Sequence, residues 1–282
     1  MVGADDLGES CRRVLPSCLW PASQNTSHPR ADRLAERFHG RAQRRTSLAS
    51  RAPAAALGVL GALWFLSDVL RQGKFPLVLG GDCSNIIGIM LALRRAGRFG
   101  LVFIDGHADF YQPEAEPSGE VASMDLAIVS GRGPTVLTDI EGLKPLVRDA
   151  DIVAFGFRDA EQQREYGSQD IRETAIHVFE FSEVRELGAA IAAEQAVGIL
   201  RRSGVNGFWI HLDVDVLDDA IMPAVDYRLP GGMSWDELSA TLQVLIPTRQ
   251  AVGLNVGIFN PVLDEDGAIA RGLVSCLVAG LA

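Results

Sequence analysis

Cysteine is scarce in this chain. Four are spread over 282 residues, at Cys11, Cys18, Cys83 and Cys276, with neither the paired spacing of a zinc ribbon nor the pattern of a disulfide framework. A reducing cytoplasm suits such a chain best. Long apolar runs are missing as well: the longest, from Ala54 to Leu66, falls short of a membrane span and leads into Ser67 and Asp68, so no membrane partner is expected. The opening residues carry Asp5, Asp6 and Glu9 where a secretion leader needs a basic and then an apolar stretch. Basic charge is outweighed, with 26 Lys and Arg against 36 Asp and Glu and a formal net charge of -10. Nucleic-acid phosphates need the opposite balance, so no nucleic-acid partner is expected either.

What is present is enough apolar material, 48% of residues, to bury a large core. Residues 1–53 are rich in Arg, Ser, Pro and Ala and carry no helical or strand period, which marks an irregular or poorly ordered N-terminal extension. Residues 54–282 read as one α/β domain. Helical spacing runs from Ala54 to Arg71, Asn85 to Arg95, Leu187 to Arg202, Trp235 to Leu245 and Ala268 to Leu281. Short apolar strands are expected at Phe75–Leu79, Gly100–Ile104, Ile152–Phe157, Ala175–Phe179, Gly207–Leu212 and Val252–Phe259. Such strands alternating with helices indicate a mostly parallel sheet covered on both faces, whose ligands bind beyond the carboxyl ends of the strands.

Two of those ends carry the chemistry. Asp105-Gly106-His107-Ala108-Asp109 follows one apolar run and His211-Leu212-Asp213-Val214-Asp215 closes another. Side chains two apart share a strand face, so Asp105, His107 and Asp109 converge if extended geometry persists, as do Asp213 and Asp215. Carboxylates mixed with an imidazole suit a hard or borderline divalent ion, Mn2+ ahead of Zn2+.

Taken in order, Gly80-Gly81-Asp82-Cys83-Ser84, Asp105 to Asp109 and Asp213 to Asp218 resemble the three metal motifs of the arginase and agmatinase (ureohydrolase) family. Met222-Pro223-Ala224-Val225 through Gly231-Gly232-Met233 and the pair Asn260-Pro261 resemble two further family segments. The resemblance implies a three-layer α/β/α fold and paired Mn2+ ions whose bridging hydroxide attacks a guanidinium carbon. It implies Asp105 and Asp213 as bridging, catalytic carboxylates, His107 and Asp215 as ligands of the second ion, and Asp109 and Cys83 at the first. It places Ser118 and Glu120, and Asp159 and Glu161 in Arg158-Asp159-Ala160-Glu161, as substrate contacts. A small cationic substrate and a homo-oligomer, trimeric or hexameric, are implied too.

The sequence departs from the family at three places. Cys83 stands where a histidine ligand is usual, as it does in relatives that hydrolyse N-hydroxyarginine. A thiolate suits Mn2+ poorly, so one metal, two metals with a weak first site, or a merely buried cysteine are all open. Ala122 falls on the proton-shuttle histidine, and Ile258 on the glutamate that pairs with the guanidinium, for which Asp226 is a candidate substitute. His211, two residues before Asp213, reads as a core or supporting histidine. The expectation is a metal-dependent hydrolase of a C–N bond in a guanidino or amidino compound; the alternatives are a non-catalytic metal-binding regulatory homologue and a single-metal amide hydrolase.

Overall fold

Alternate apolar residues on each strand feed two separate cores, and that alternation builds the layers. In the computed structural model, which describes residues 66–281, Leu101 and Phe103 pack on one side of the sheet with Trp209, while Val102 and Ile104 pack on the other with Ile210 and Leu212. The extension expected over residues 1–53 lies outside the described residues, as does all but the 66–71 end of the helix expected from Ala54.

The sheet comprises β1 (Leu77–Leu79), β2 (Gly100–Ile104), β3 (Ile152–Phe155), β4 (His177–Phe179), β5 (Phe208–Asp213) and β6 (Ala251–Gly257). All pairings are parallel, in the order β1-β6-β5-β2-β3-β4. Helices α1 (Asn85–Ala96) and α2 (Asp125–Val129) cover one face. Helices α3 (Ala160–Glu165), α4 (Phe181–Leu187), α5 (Ala189–Ser203), α6 (Trp235–Leu245) and α7 (Ala268–Leu281) follow in the chain. Of these, α5, α6 and α7 cover the opposite face. The three-layer parallel arrangement expected from the sequence is therefore the one observed.

Element ends follow local chemistry. The Ser234 hydroxyl accepts from the Glu237 backbone N–H and the Glu237 carboxylate returns to the Ser234 N–H, a reciprocal cap that fixes the start of α6. The helix expected from Leu187 to Arg202 is observed as Ala189–Ser203; Leu187 instead ends α4, and Gly188, at φ 85°, separates the two helices. Short helices α2, α3 and α4 were not signalled by the sequence period.

Topology positions the site. β2 and β5 are neighbours at the centre, and Ile104 pairs with Leu212 in register. The next residues, Asp105 and Asp213, therefore reach the carboxyl edge side by side. β1 lies beyond β6 on the same side as β5, so the loop after it carries Cys83 toward that edge. Among the described residues no helix is long and apolar enough to cross a membrane.

Candidate metal centre

The strand alternation expected through Asp109 stops at Ile104. Asp105 begins a loop, and Asp109 adopts φ 45°. Convergence comes from a turn used twice. Asp105 Oδ1 accepts from the His107 backbone N–H at 2.7 Å, and Asp213 Oδ1 accepts from the Asp215 N–H at 2.8 Å. Each aspartate thus folds the chain over its own side chain. The two turns then dock: the Gly106 N–H donates to Asp215 Oδ1 at 3.0 Å, and His107 Nδ1 lies 2.9 Å from Asp215 Oδ2. Only glycine fits at 106, since a Cβ there would lie 2.6 Å from the Asp215 carbonyl oxygen.

Arg158 holds the second turn from outside. Its guanidinium donates to the carbonyls of Asp215, Val216, Leu217, Leu229 and Pro230, at distances from 2.7 to 3.3 Å. A lysine keeps the charge but cannot fork. Arg158→Lys is expected to lower unfolding stability by about 1–2 kcal/mol, the loss of one or two net hydrogen bonds, measured by urea denaturation. An unchanged midpoint would show that these contacts contribute nothing.

Four carboxylates sit in this space, all nearly or fully buried. Burial, reinforced by Asp109, Asp213 and Asp215, pushes Asp105 well above the ordinary carboxylate range, and burial with Asp215 does the same to Asp213. Burial raises Asp109 to about 8. Asp215 goes the other way: burial opposes ionisation, but the His107 imidazolium overcomes it and holds the carboxyl low. For His107, burial favours the neutral ring, yet Asp215 raises it to about 10. The cluster is short of positive charge.

A divalent ion fits that deficit. Asp105 Oδ2 is buried without a hydrogen-bond partner. Donor atoms of Asp105, His107 and Asp215 lie within 4.8 Å of one another, as do those of Cys83, Asp105 and Asp213, so Asp105 belongs to both groups. Asp109 is in neither group but lines the adjoining cavity. Cys83 is 1% exposed and its Sγ donates to Asp213 Oδ2 at 2.8 Å. Burial, then the Asp213 charge, pushes this thiol well above its ordinary value.

The cavity beside the cluster measures about 500 Å³. Its walls include Cys83, His107, Asp109, Asp213 and Asp215, together with Glu116, Ser118, Glu120, Ala122, Asp226, Tyr227 and Ile258. Ser118 and Glu120, expected as substrate contacts, line this cavity, and Glu120 accepts from Tyr227 Oη at 2.8 Å. Asp159 and Glu161, expected as substrate contacts, are not among the residues that line this cavity. Asp159 is buried, and its Oδ1 accepts from the Ala108 N–H at 3.0 Å and from Gln163 at 2.8 Å, bracing the Asp105–Asp109 loop. Glu161 is exposed in the first turn of α3. Asp82 accepts from the Ser84 N–H ahead of α1, and Asp218 accepts from Ala220, Gly231 and Gly232, so both brace turns.

Sequence reasoning missed Asp125 and Tyr227. Tyr227 carries no local signal. Asp125 does: it is the one charge within the apolar segment Met124–Val129, it is fully buried, and neither oxygen completes a hydrogen bond.

Known proteins resemble this chain in sequence and fold. The model of the Arginase family matches residues 64–281. The arginase of Staphylococcus aureus (strain MRSA252) is 30% identical over 211 residues, 74% of this chain and 68% of that one. That of Brevibacillus brevis is 31% identical over 214 residues, covering 75% and 70%. The crystal structure of arginase from Bacillus subtilis strain 168 superposes with a TM-score of 0.74 at 28% identity, over 82% of this chain and 79% of that one. The sheet order, the buried carboxylates at its carboxyl edge and these likenesses agree: this chain belongs to the arginase family, a family of metal-dependent hydrolases.

Proposed function

We propose that this protein hydrolyses a C–N bond in a guanidino or amidino group on a small cationic molecule, using Mn2+ held by Asp105, His107 and Asp215, with Asp213 and Asp109 alongside. The observation that carries the reading is Asp105: a buried carboxylate shared between two donor groups, with one oxygen lacking a partner, next to a cavity of about 500 Å³. Divalent ions held by these carboxylates would supply a hydroxide nucleophile near neutral pH. The protein's own residues do the rest. The paired Asp turns fix the donor positions, and Asp159 and Arg158 brace those turns from behind. Glu116, Glu120 and Asp226 give the cavity an acidic wall that favours a cation.

Asp226 is the acid proposed to pair with the substrate guanidinium. It lines the cavity, Asn260 Nδ2 donates to its Oδ1 at 3.0 Å, and Ile258, also in the wall, offers no charge. Asp226→Asn is expected to lower kcat/KM roughly tenfold, the low end for a charge-assisted hydrogen bond, and Ile258→Glu in that background is expected to recover activity. Equal kcat/KM for Asp226→Asn and wild type would remove Asp226 from the substrate site.

The whole reading is tested by elemental analysis of the purified protein, followed by urea and ammonia assays on a panel of guanidino and amidino compounds with and without added Mn2+. Mn2+-dependent product release supports it. Tight metal binding with no turnover on any compound would favour a metal-binding regulatory role instead.

A further inference from the structure

Asp125 lies outside the ligand set read from the sequence, yet among the described residues it is the side chain with two buried oxygens left without a partner. It opens α2, is 0% exposed, and both its oxygens lack partners. A buried carboxylate left in that state costs several kcal/mol unless a cation meets it. Donor atoms of Cys83, Asp125 and His211 lie within 4.8 Å of one another. Cys83 Sγ, at the junction, is 2.8 Å from Asp213 Oδ2.

His211 supplies a proton to this group and not a lone pair. The indole N–H of Trp209 donates to Asn255 Oδ1 at 2.7 Å, and an indole can only donate, so the amide orientation is fixed. Asn255 Nδ2 then points at His211 Nδ1, 2.8 Å away, and must donate to it. A ring nitrogen that accepts carries no hydrogen, so the neutral ring bears its proton on Nε2. That nitrogen is buried and has no partner. The ring is locked by stacking on Phe103, centroids 4.4 Å apart. The same relay prevents His211 from taking a proton from Cys83, which rules out a cysteine nucleophile activated by this histidine.

We propose that Cys83, whose sulfur belongs both to the group with Asp125 and to the group with Asp105 and Asp213, makes this a site for a thiophilic divalent ion, Zn2+ in preference to Mn2+, with Asp125 as an added ligand and His211 Nε2 donating a hydrogen bond to its anionic ligands, adjoining the Asp105–His107–Asp215 group. Replacing imidazole by thiolate at the first position makes a hard site softer, and Asp125 adds the negative charge that a dication balances. Binding releases the Cys83 thiol proton to solvent, so the sulfur enters as thiolate. The chain then holds two unlike ions, a thiophilic one at Cys83 and a hard one at His107. This inference rests on the metal-centre reading above.

Cobalt(II) titrated into the metal-free full-length protein tests it, because thiolate ligation to Co2+ gives near-ultraviolet charge-transfer absorption and carboxylate or imidazole ligation does not. The wild type is expected to develop that band, and Zn2+ is expected to abolish it while excess Mn2+ does not. Asp125→Asn, nearly isosteric, is expected to weaken Co2+ binding at this site by more than about 100-fold, beyond the loss seen when only an outer hydrogen bond is removed. Its Mn2+ content at the His107 group, read by electron paramagnetic resonance, stays at the wild-type level. Mn2+ binding without any thiolate band in the wild type would overturn this inference alone. Failure to bind either ion would overturn the metal-centre reading with it. Wild-type Co2+ affinity in Asp125→Asn would also overturn it, by showing that Asp125 plays no part.

Discussion

Asp213→Asn is expected to remove hydrolysis and metal together while making the metal-free protein more stable. Both effects follow from one geometry. Asp213 Oδ1 is held by the Asp215 N–H at 2.8 Å, and Oδ2 faces Cys83 Sγ at 2.8 Å, so an asparagine oxygen keeps the turn and its amide can donate to the sulfur. What disappears is charge. With ions bound, that charge is an attraction, and its loss lowers kcat/KM by about 1000-fold or more, since removal of several kcal/mol of electrostatic stabilisation has that effect on rate. Without ions, the same carboxylate is 2% exposed and opposed by burial and by Asp215. Neutralising it then relieves on the order of 2 kcal/mol, as replacement of other buried charges does. Melting in chelator and in Mn2+ separates the two states. A lower melting temperature for Asp213→Asn in chelator would contradict the charge argument, and retained turnover would contradict the ligand role.

Function gained at a cost in stability is the ordinary signature of an active centre, and it explains which parts of this protein could be read from its sequence. Gly100–Ile104, Trp235–Leu245 and Ala268–Leu281 appear in the structure with the bounds read from local patterning. The aspartates and histidine after β2 and β5 were visible because parallel sheets put ligands at such ends. Their convergence was attributed to strand alternation, however, and it arises from side-chain-capped turns, which leave no period in the sequence. Contacts across long separations were likewise hidden. Cys83 meets Asp213 from 130 positions away, and nothing near Asp125 announces Cys83. Glu161 was reached from the other direction, through a motif likeness, and it stands exposed in the first turn of α3, which begins at Ala160.

Removing the metal is also expected to reverse how stability depends on pH. Burial raises Asp109 from its ordinary 3.8 to about 8, so between those values the folded chain keeps a proton that the unfolded chain has lost. Its contribution is fully present below 3.8 and lost as pH rises through 8. Burial works against the His107 imidazolium, but Asp215 raises it from 6.5 to about 10, so its contribution is fully present below 6.5 and lost as pH rises through 10. His211 opposes them only at lower pH: burial lowers it from 6.5 to about 4, and its effect, stability rising with pH, is complete by 6.5. From pH 6.5 to 8, therefore, Asp109 and His107 act in one direction. Metal-free protein should lose at least about 2–4 kcal/mol across that window, at 1.36 kcal/mol per unit for each of these two groups with allowance for their mutual attraction, with the raised Asp105 and Asp213 carboxyls acting in the same direction. Protein saturated with Mn2+ should gain stability over the same range, because ligation requires the deprotonated side chains. Urea denaturation at both ends of the window, in chelator and in Mn2+, gives the two slopes. A flat profile in chelator would mean that the carboxylates are already neutralised by something other than a metal ion.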